Sequence, residues 1–128
     1  MIILDASAVL ATLQNEAGND AVDMLFETQA CAMSIVNLTE VLERLANRGM
    51  PLAIAHELTG SLDLKILPFE LAESTLTAAL HAATARTGIG LADRACIATG
   101  MRRDAAILTA DRAWATLDLP DADIRLIR

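Results

Sequence analysis

The sequence predicts a three-layer α/β/α sandwich around a mainly parallel sheet of four to five strands, in one domain spanning residues 1–128. Three observations predict it. Short apolar runs alternate with segments of helical periodicity from one end to the other, which calls for crossover connections and parallel strand pairing. Hydrophobic residues make up 54%, mostly Ala, Leu, Ile and Val, while aromatics are only 2%. That composition suits helices packed on both faces of a small buried sheet. A chain of 128 residues hides roughly 70% of the surface its unfolded form exposes, so a core forms without disulfides or a structural metal.

The elements follow in order. Residues 2–5 (IILD) form a short apolar strand, and Ser7 opens a helix from Ala8 to Gln14. Residues 19–28 make an amphipathic helix with Asn19 or Asp20 at its start, and CAMS at 31–34 is a second strand. From Val36 to Asn47 the stripe Leu38, Val41, Leu42 and Leu45 has helical spacing, and Gly49 stops it. Pro51 opens a helix to about Ser61, and LKIL at 64–67 is a third strand ended by Pro68. An Ala-rich helix runs from Glu70 to Arg86, and another from Leu91 to Arg103 after Gly90. AAILT at 105–109 is the fourth strand and IRLI at 124–127 the fifth. Repeats, low-complexity tracts and Pro/Gly/Ser-rich linkers are absent.

Composition narrows the function classes. No run approaches the ~20 apolar residues that span a bilayer, so no membrane role is expected. The opening MIILDASAVLATL has no basic segment and is interrupted by Asp5, unlike a secretory signal. Cys31 and Cys96 stand alone, without metal-ligand spacing, and are expected to be reduced, buried thiols. These features together predict a cytoplasmic protein. The formal charge is −7, from 17 acidic and 10 basic residues, an awkward balance for binding phosphates. The imbalance is local, however. Residues 1–64 carry nine acids against Arg44 and Arg48, whereas residues 65–128 carry eight of each sign. Arg86, Arg94, Arg102, Arg103 and Arg112 in that second half either line a phosphate-binding rim or lie on solvated helix faces.

Ligand sites in open parallel sheets form beyond the carboxyl ends of the strands, which singles out four acids. Asp5 closes an apolar strand, although an Asp there also serves as an ordinary helix cap. Glu40 borders the apolar stripe of its helix, where a surface glutamate would be unremarked. Asp93 lies in the first turn of a helix, a place the helix dipole favours by itself. Asp111 follows the strand ILT in what reads as a simple turn. Singly each has a structural explanation; together they converge on one edge of a parallel sheet. Four carboxylates sharing a site need a counter-charge, and oxygen ligands alone suit Mg²⁺ or Mn²⁺ rather than zinc.

Four stretches also carry a resemblance: IILDASAVLA at 2–11, SIVNLTEVLERL at 34–45, GLADRACIATG at 90–100 and ILTADRAW at 107–114. In this order, over essentially the whole chain, they resemble the PIN-domain ribonucleases, and most closely the VapC-type toxins of bacterial toxin–antitoxin pairs. The resemblance implies that Asp5, Glu40, Asp93 and Asp111 are the catalytic, metal-binding acids. It also implies that Ser7 and Thr109 orient carboxylates or water from behind them. The implied reaction is hydrolysis of an RNA phosphodiester with one or two Mg²⁺ or Mn²⁺ ions, a pair lying roughly 3.5–4 Å apart. Asp5, Glu40 and Asp93 would hold the first ion, and Asp111 a second ion or the water. Many relatives carry a further acid and an aromatic after the last Asp-Arg; here the stretch reads Ala113-Trp114, so only the aromatic is kept. The implied partners are an RNA substrate, a cognate VapB-like antitoxin and a second copy in a homodimer. Residues 51–55 and the helix from Glu70 are candidates for protein-binding surface, although core-facing stripes explain most of them. His56 and His81 fit no motif.

Other readings are weaker. A dehalogenase-like phosphotransferase needs a second Asp two residues after the first, where Ser7 stands, and a receiver domain needs a late Lys, whereas Lys65 is the only lysine. A catalytically inactive PIN-like binding module and a housekeeping RNA-processing nuclease are the remaining alternatives.

Overall fold

Ile2, Ile3 and Leu4 are all buried, as a strand must be when it has neighbours on both edges and helices on both faces. The computed structural model, which describes residues 1–128, makes them the central strand β1 (Ile2–Leu4) of a five-stranded sheet. There follow α1 (Ala6–Leu13), α2 (Asn19–Thr28), β2 (Cys31–Ser34), α3 (Ile35–Asn47), α4 (Leu52–Gly60) and β3 (Leu64–Leu67). The chain continues through α5 (Leu71–Thr84), α6 (Leu91–Arg102), β4 (Ala106–Thr109), a 3-10 turn (Arg112–Thr116) and β5 (Ile124–Leu126). The strand order is β3-β2-β1-β4-β5 and every pair is parallel. All five expected strands form, so the α/β/α architecture holds.

The period-two alternation of β1 divides the core. Ile2 and Leu4 pack with Cys31, Met33, Val9, Val22, Val41 and Leu45 under α1 to α4. Ile3 packs with Ala32, Ile107, Leu80, Ile97 and Trp114 under α5 and α6. Gly100 lets α6 lie close on β4: a Cβ there would overlap Ile107, with Cδ1 only 2.6 Å away. Cys31 and Cys96 are free and buried, as expected.

Three local expectations are corrected. α1 starts at Ala6 with Asp5 as its N-cap, rather than being opened by Ser7, because the extended Asp5 backbone lets its carboxylate accept from the Ser7 N–H. α5 ends at Thr84, two residues early, since Ala85 is extended and Arg86 has φ 71°. The innermost stripe of α3 is Asn37, Val41 and Leu45, whereas Leu38 and Leu42 lie at the partly buried margin.

Candidate metal centre

β1 is the point where the strand order reverses, with β2 and β3 to one side and β4 and β5 to the other. Connections leave such a point in opposite directions and open a crevice at the carboxyl ends of the strands. Asp5 lies just past the end of β1, Asp111 two residues past the end of β4, and Ser34 leads from β2 straight into α3, which carries Glu40. Asp93 comes from the first turn of α6, on the other layer. One carboxylate oxygen from each of Asp5, Glu40 and Asp93 lies within 4.8 Å of the others. Asp111 stands outside that group but lines the same cleft, of about 280 Å³, with Asp5, Ser7 and Asp93.

The carboxylates are held from behind. Asp5, 3% exposed, has Oδ2 accepting from the hydroxyls of Ser7 at 2.6 Å and Thr109 at 3.0 Å. The Ser7 hydroxyl accepts in turn from the Ala110 N–H at 2.9 Å, and that of Thr109 from the Asp111 N–H at 3.1 Å. Each hydroxyl has one proton, so with both directed at Asp5 the 3.2 Å contact between Ser7 and Thr109 is proximity rather than a further bond. The strand end, the helix start and the Asp111 turn are thereby tied to one carboxylate oxygen. Asp93 Oδ2 accepts from the Gly90 N–H at 3.1 Å, and Glu40 Oε1 pairs with Arg44 at 2.8 Å. Asp111 is exposed and accepts from the Ala113 N–H at 3.0 Å.

Two oxygens have no such use. Asp5 Oδ1 and Glu40 Oε2 are buried without a hydrogen-bond partner, an expensive state for an anion unless a cation approaches it. The charges feel one another as well. Burial pushes the Asp5 carboxyl up to about 6; the Ser7 and Thr109 hydroxyls pull it down, and the charges of Asp93 and Glu40 push it further up. Asp93 is raised by its own burial and by Glu40 and Asp111, against the pull of the Gly90 N–H and Arg44. An all-oxygen set with mutual repulsion and two orphaned acceptors fits a hard divalent cation such as Mg²⁺ or Mn²⁺.

The basic residues are only partly where the sequence suggested. Of Arg86, Arg94, Arg102, Arg103 and Arg112, only Arg112 lines the cleft, joined there by Arg44 and Arg128. Arg102 and Arg103 instead pair with the buried Glu73 at 2.8 and 3.5 Å, and Arg94 donates to the Ile89 carbonyl. Arg44 was legible as the i+4 partner of Glu40, but nothing local marked Arg128, which follows Glu40 by more than two-thirds of the chain. Asn37, wholly buried with its Nδ2 donating to the Ala92 carbonyl at 2.9 Å, was also missed. Its signal was a polar residue one turn before Val41 on the buried stripe. His56 and His81 are exposed and outside the cleft. Trp114 is buried beneath β4 and β5, and Ala113 offers no carboxylate beside Asp111.

No curated protein matches the sequence significantly. Solved structures do match the fold. A DNA-bound VapBC complex from Salmonella typhimurium superposes with a TM-score of 0.76 at 18% identity, covering 99% of this chain and 98% of that one. FitAcB from Neisseria gonorrhoeae gives 0.72 at 22% identity, covering 100% and 97%. VapC20 of Mycobacterium tuberculosis, a sarcin–ricin loop cleaving toxin, gives 0.74 at 14% identity, covering 91% and 96%. The sequence itself matches the PIN domain family model over residues 2–119, and the chain therefore belongs to the PIN domain family.

Proposed function

We propose that this chain is a metal-dependent ribonuclease and the toxin of a toxin–antitoxin pair. The observation that carries the reading is the cluster of Asp5, Glu40 and Asp93 at the switch point of the sheet, with two carboxylate oxygens buried and unpartnered. Asp5, Glu40 and Asp93 are assigned to the first Mg²⁺ or Mn²⁺, and Asp111 to a second ion or to positioning the attacking water. A bound divalent ion supplies charge neutralisation and activates water toward a phosphodiester.

The protein's own groups do the rest. Ser7 and Thr109 fix Asp5 through Oδ2 alone, leaving Oδ1 for the cation. With Glu40 included, the four acids of the site outnumber Arg44, Arg112 and Arg128 by one, so a single divalent ion turns it from net negative to net positive and attractive for an RNA phosphate. The Arg112 side chain lines the cleft without an ion pair and is free to meet it. In this way a protein of net charge −7 binds RNA locally.

The partner reading rests on the company the fold keeps, since the similar structures include VapBC and FitAcB assemblies. A cognate VapB-like antitoxin and a second copy of the chain are the proposed protein partners. Leu52 and Ile54 on α4 and Leu71 on α5, 60%, 51% and 82% exposed, offer apolar surface to them. No helix is long and apolar enough to cross a membrane.

The test is cleavage of a mixed RNA pool by the purified chain with Mg²⁺, with Mn²⁺ and with EDTA, beside the Asp5→Asn and Asp93→Asn variants. Cleavage that needs metal and is lost in both variants is expected; full cleavage by either variant would refute the assignment. Induced expression should arrest growth, and co-expression of a small DNA-binding protein from the adjacent gene should relieve it. Cleavage without growth arrest would instead favour a housekeeping RNA-processing role.

A further inference from the structure

We propose that Asn37 is a positioning residue that sets the separation of Glu40 and Asp93 and thereby the affinity of the centre for its divalent ion. The inference rests on the metal-centre reading above.

The two acids approach from different layers. Glu40 rides on α3, on the face of the sheet shared with α1, and Asp93 sits in the first turn of α6, on the other face. No hydrogen bond or ion pair joins Glu40 to Asp93, and both are anionic, so they repel unless something holds them. Asn37 lies one turn before Glu40 on α3 and is wholly buried. Its Nδ2 donates at 2.9 Å to the carbonyl of Ala92, the residue immediately before Asp93. This is the one side-chain hydrogen bond between α3 and α6. It therefore links the backbone that carries one acid to the backbone that carries the other.

The amide orientation is dictated by the partner, since a carbonyl can only accept. Asn37 Oδ1 is consequently left buried and without a partner. An Asn on the same stripe as Val41 and Leu45 with half its amide unsatisfied is a poor choice for packing alone. A leucine would fill the site without the orphan but could not bridge to Ala92. The geometry is that of a clamp retained at a cost in stability.

The experiment measures Mn²⁺ binding to the full chain, without RNA, by calorimetry and by the electron paramagnetic resonance signal of free Mn²⁺. Asn37→Ala is expected to weaken binding about 10- to 100-fold, the range seen when groups that orient metal ligands are removed. Thr77→Ala, which removes a buried hydroxyl-to-carbonyl bond within α5, is the stability control and should leave binding unchanged. In a Glu40→Gln background the further effect of Asn37→Ala should shrink to less than threefold, because Asn37 then has no carboxylate to place. Should Asn37→Ala not fold, Asn37→Ser, too short to reach Ala92, takes its place with the same expectation. Wild-type-like Mn²⁺ affinity in the Asn37 variant, or an equal loss in Thr77→Ala, would overturn the clamp while leaving the metal centre intact. A wild-type chain that binds no Mn²⁺ would overturn the metal centre itself.

Discussion

Replacing Asp5 by Asn should make the metal-free protein more stable, and by an amount that depends on pH. Asp5 is 3% exposed and its carboxyl is pushed from an ordinary 3.8 up to about 6, chiefly by burial. The folded chain thus holds this proton more tightly than the unfolded chain. Stability from this group is full below about pH 4 and is lost as pH rises through about 6. A rise of somewhat over two pH units, at about 1.36 kcal/mol each, makes the loss about 3 kcal/mol by pH 7.5. Asn is nearly isosteric with the protonated acid, caps α1 as well as Asp does, and still accepts from Ser7 and Thr109. The two proteins should therefore melt within a few degrees of each other near pH 4. At pH 7.5 the variant should melt higher by about 10 °C, from about 3–5 °C per kcal/mol for a chain of this size. Saturating Mn²⁺ should raise the melting temperature of the wild type and not of the variant, closing the gap. Thermal melts by circular dichroism at pH 4, 6 and 7.5, with EDTA and with Mn²⁺, decide it. A variant that melts lower at pH 7.5, or a gap that does not change with pH, would refute the account of Asp5 as a strained, cation-seeking carboxylate.

Other outcomes follow from the same geometry. Thr109→Val keeps the shape of a fully buried side chain but removes a donor to Asp5, so Mn²⁺ affinity at pH 7 measured by calorimetry should fall roughly tenfold. Gly100→Ala would drive a Cβ into Ile107 and should cost about 1–3 kcal/mol in urea unfolding; an unchanged midpoint would contradict the close approach of α6 to β4. Glu73, buried between α5 and α6, is pushed up by burial but held lower overall by its own backbone N–H, that of Glu70, and Arg102. Its contribution is present above its ordinary pKa and lost as pH falls through the lowered one. Glu73→Gln should therefore destabilise at pH 7 by about 2–3 kcal/mol, somewhat under the range for wholly buried pairs because Arg102 reaches solvent, and far less in acid. Burial raises both thiols, that of Cys96 well above its usual value, so a thiol reagent should modify neither before unfolding.

The sequence by itself determined the strands and most of the helices, because the signals are local. The apolar run IIL closed by Asp5, or the i+3 and i+4 spacing in α3, carries its meaning within one or two turns. It also marked Asp5, Glu40, Asp93 and Asp111, since strand ends and helix starts are local features and the four surrounding stretches could be read as a resemblance. Even its error at Ser7 was local: Asp and Ser both cap helices, and only the Asp5 backbone angles chose between them. What the tertiary structure alone decided was distance. The parallel register of β1 with β4 brings Thr109 to Asp5 across more than one hundred residues, and the switch point brings Asp93 to Glu40 while leaving Asp111 outside the tight group. It also sent Arg102 and Arg103 to Glu73 and brought Arg44, Arg112 and Arg128 to the cleft. Apart from Arg44, four residues after Glu40, and Arg112, beside Asp111, no local pattern assigns these arginines their partners, because the partners are distant in the sequence. Asn37 bridges both cases: its place on a buried stripe was legible, but its partner Ala92 lies on another helix, chosen by how two layers pack against one sheet.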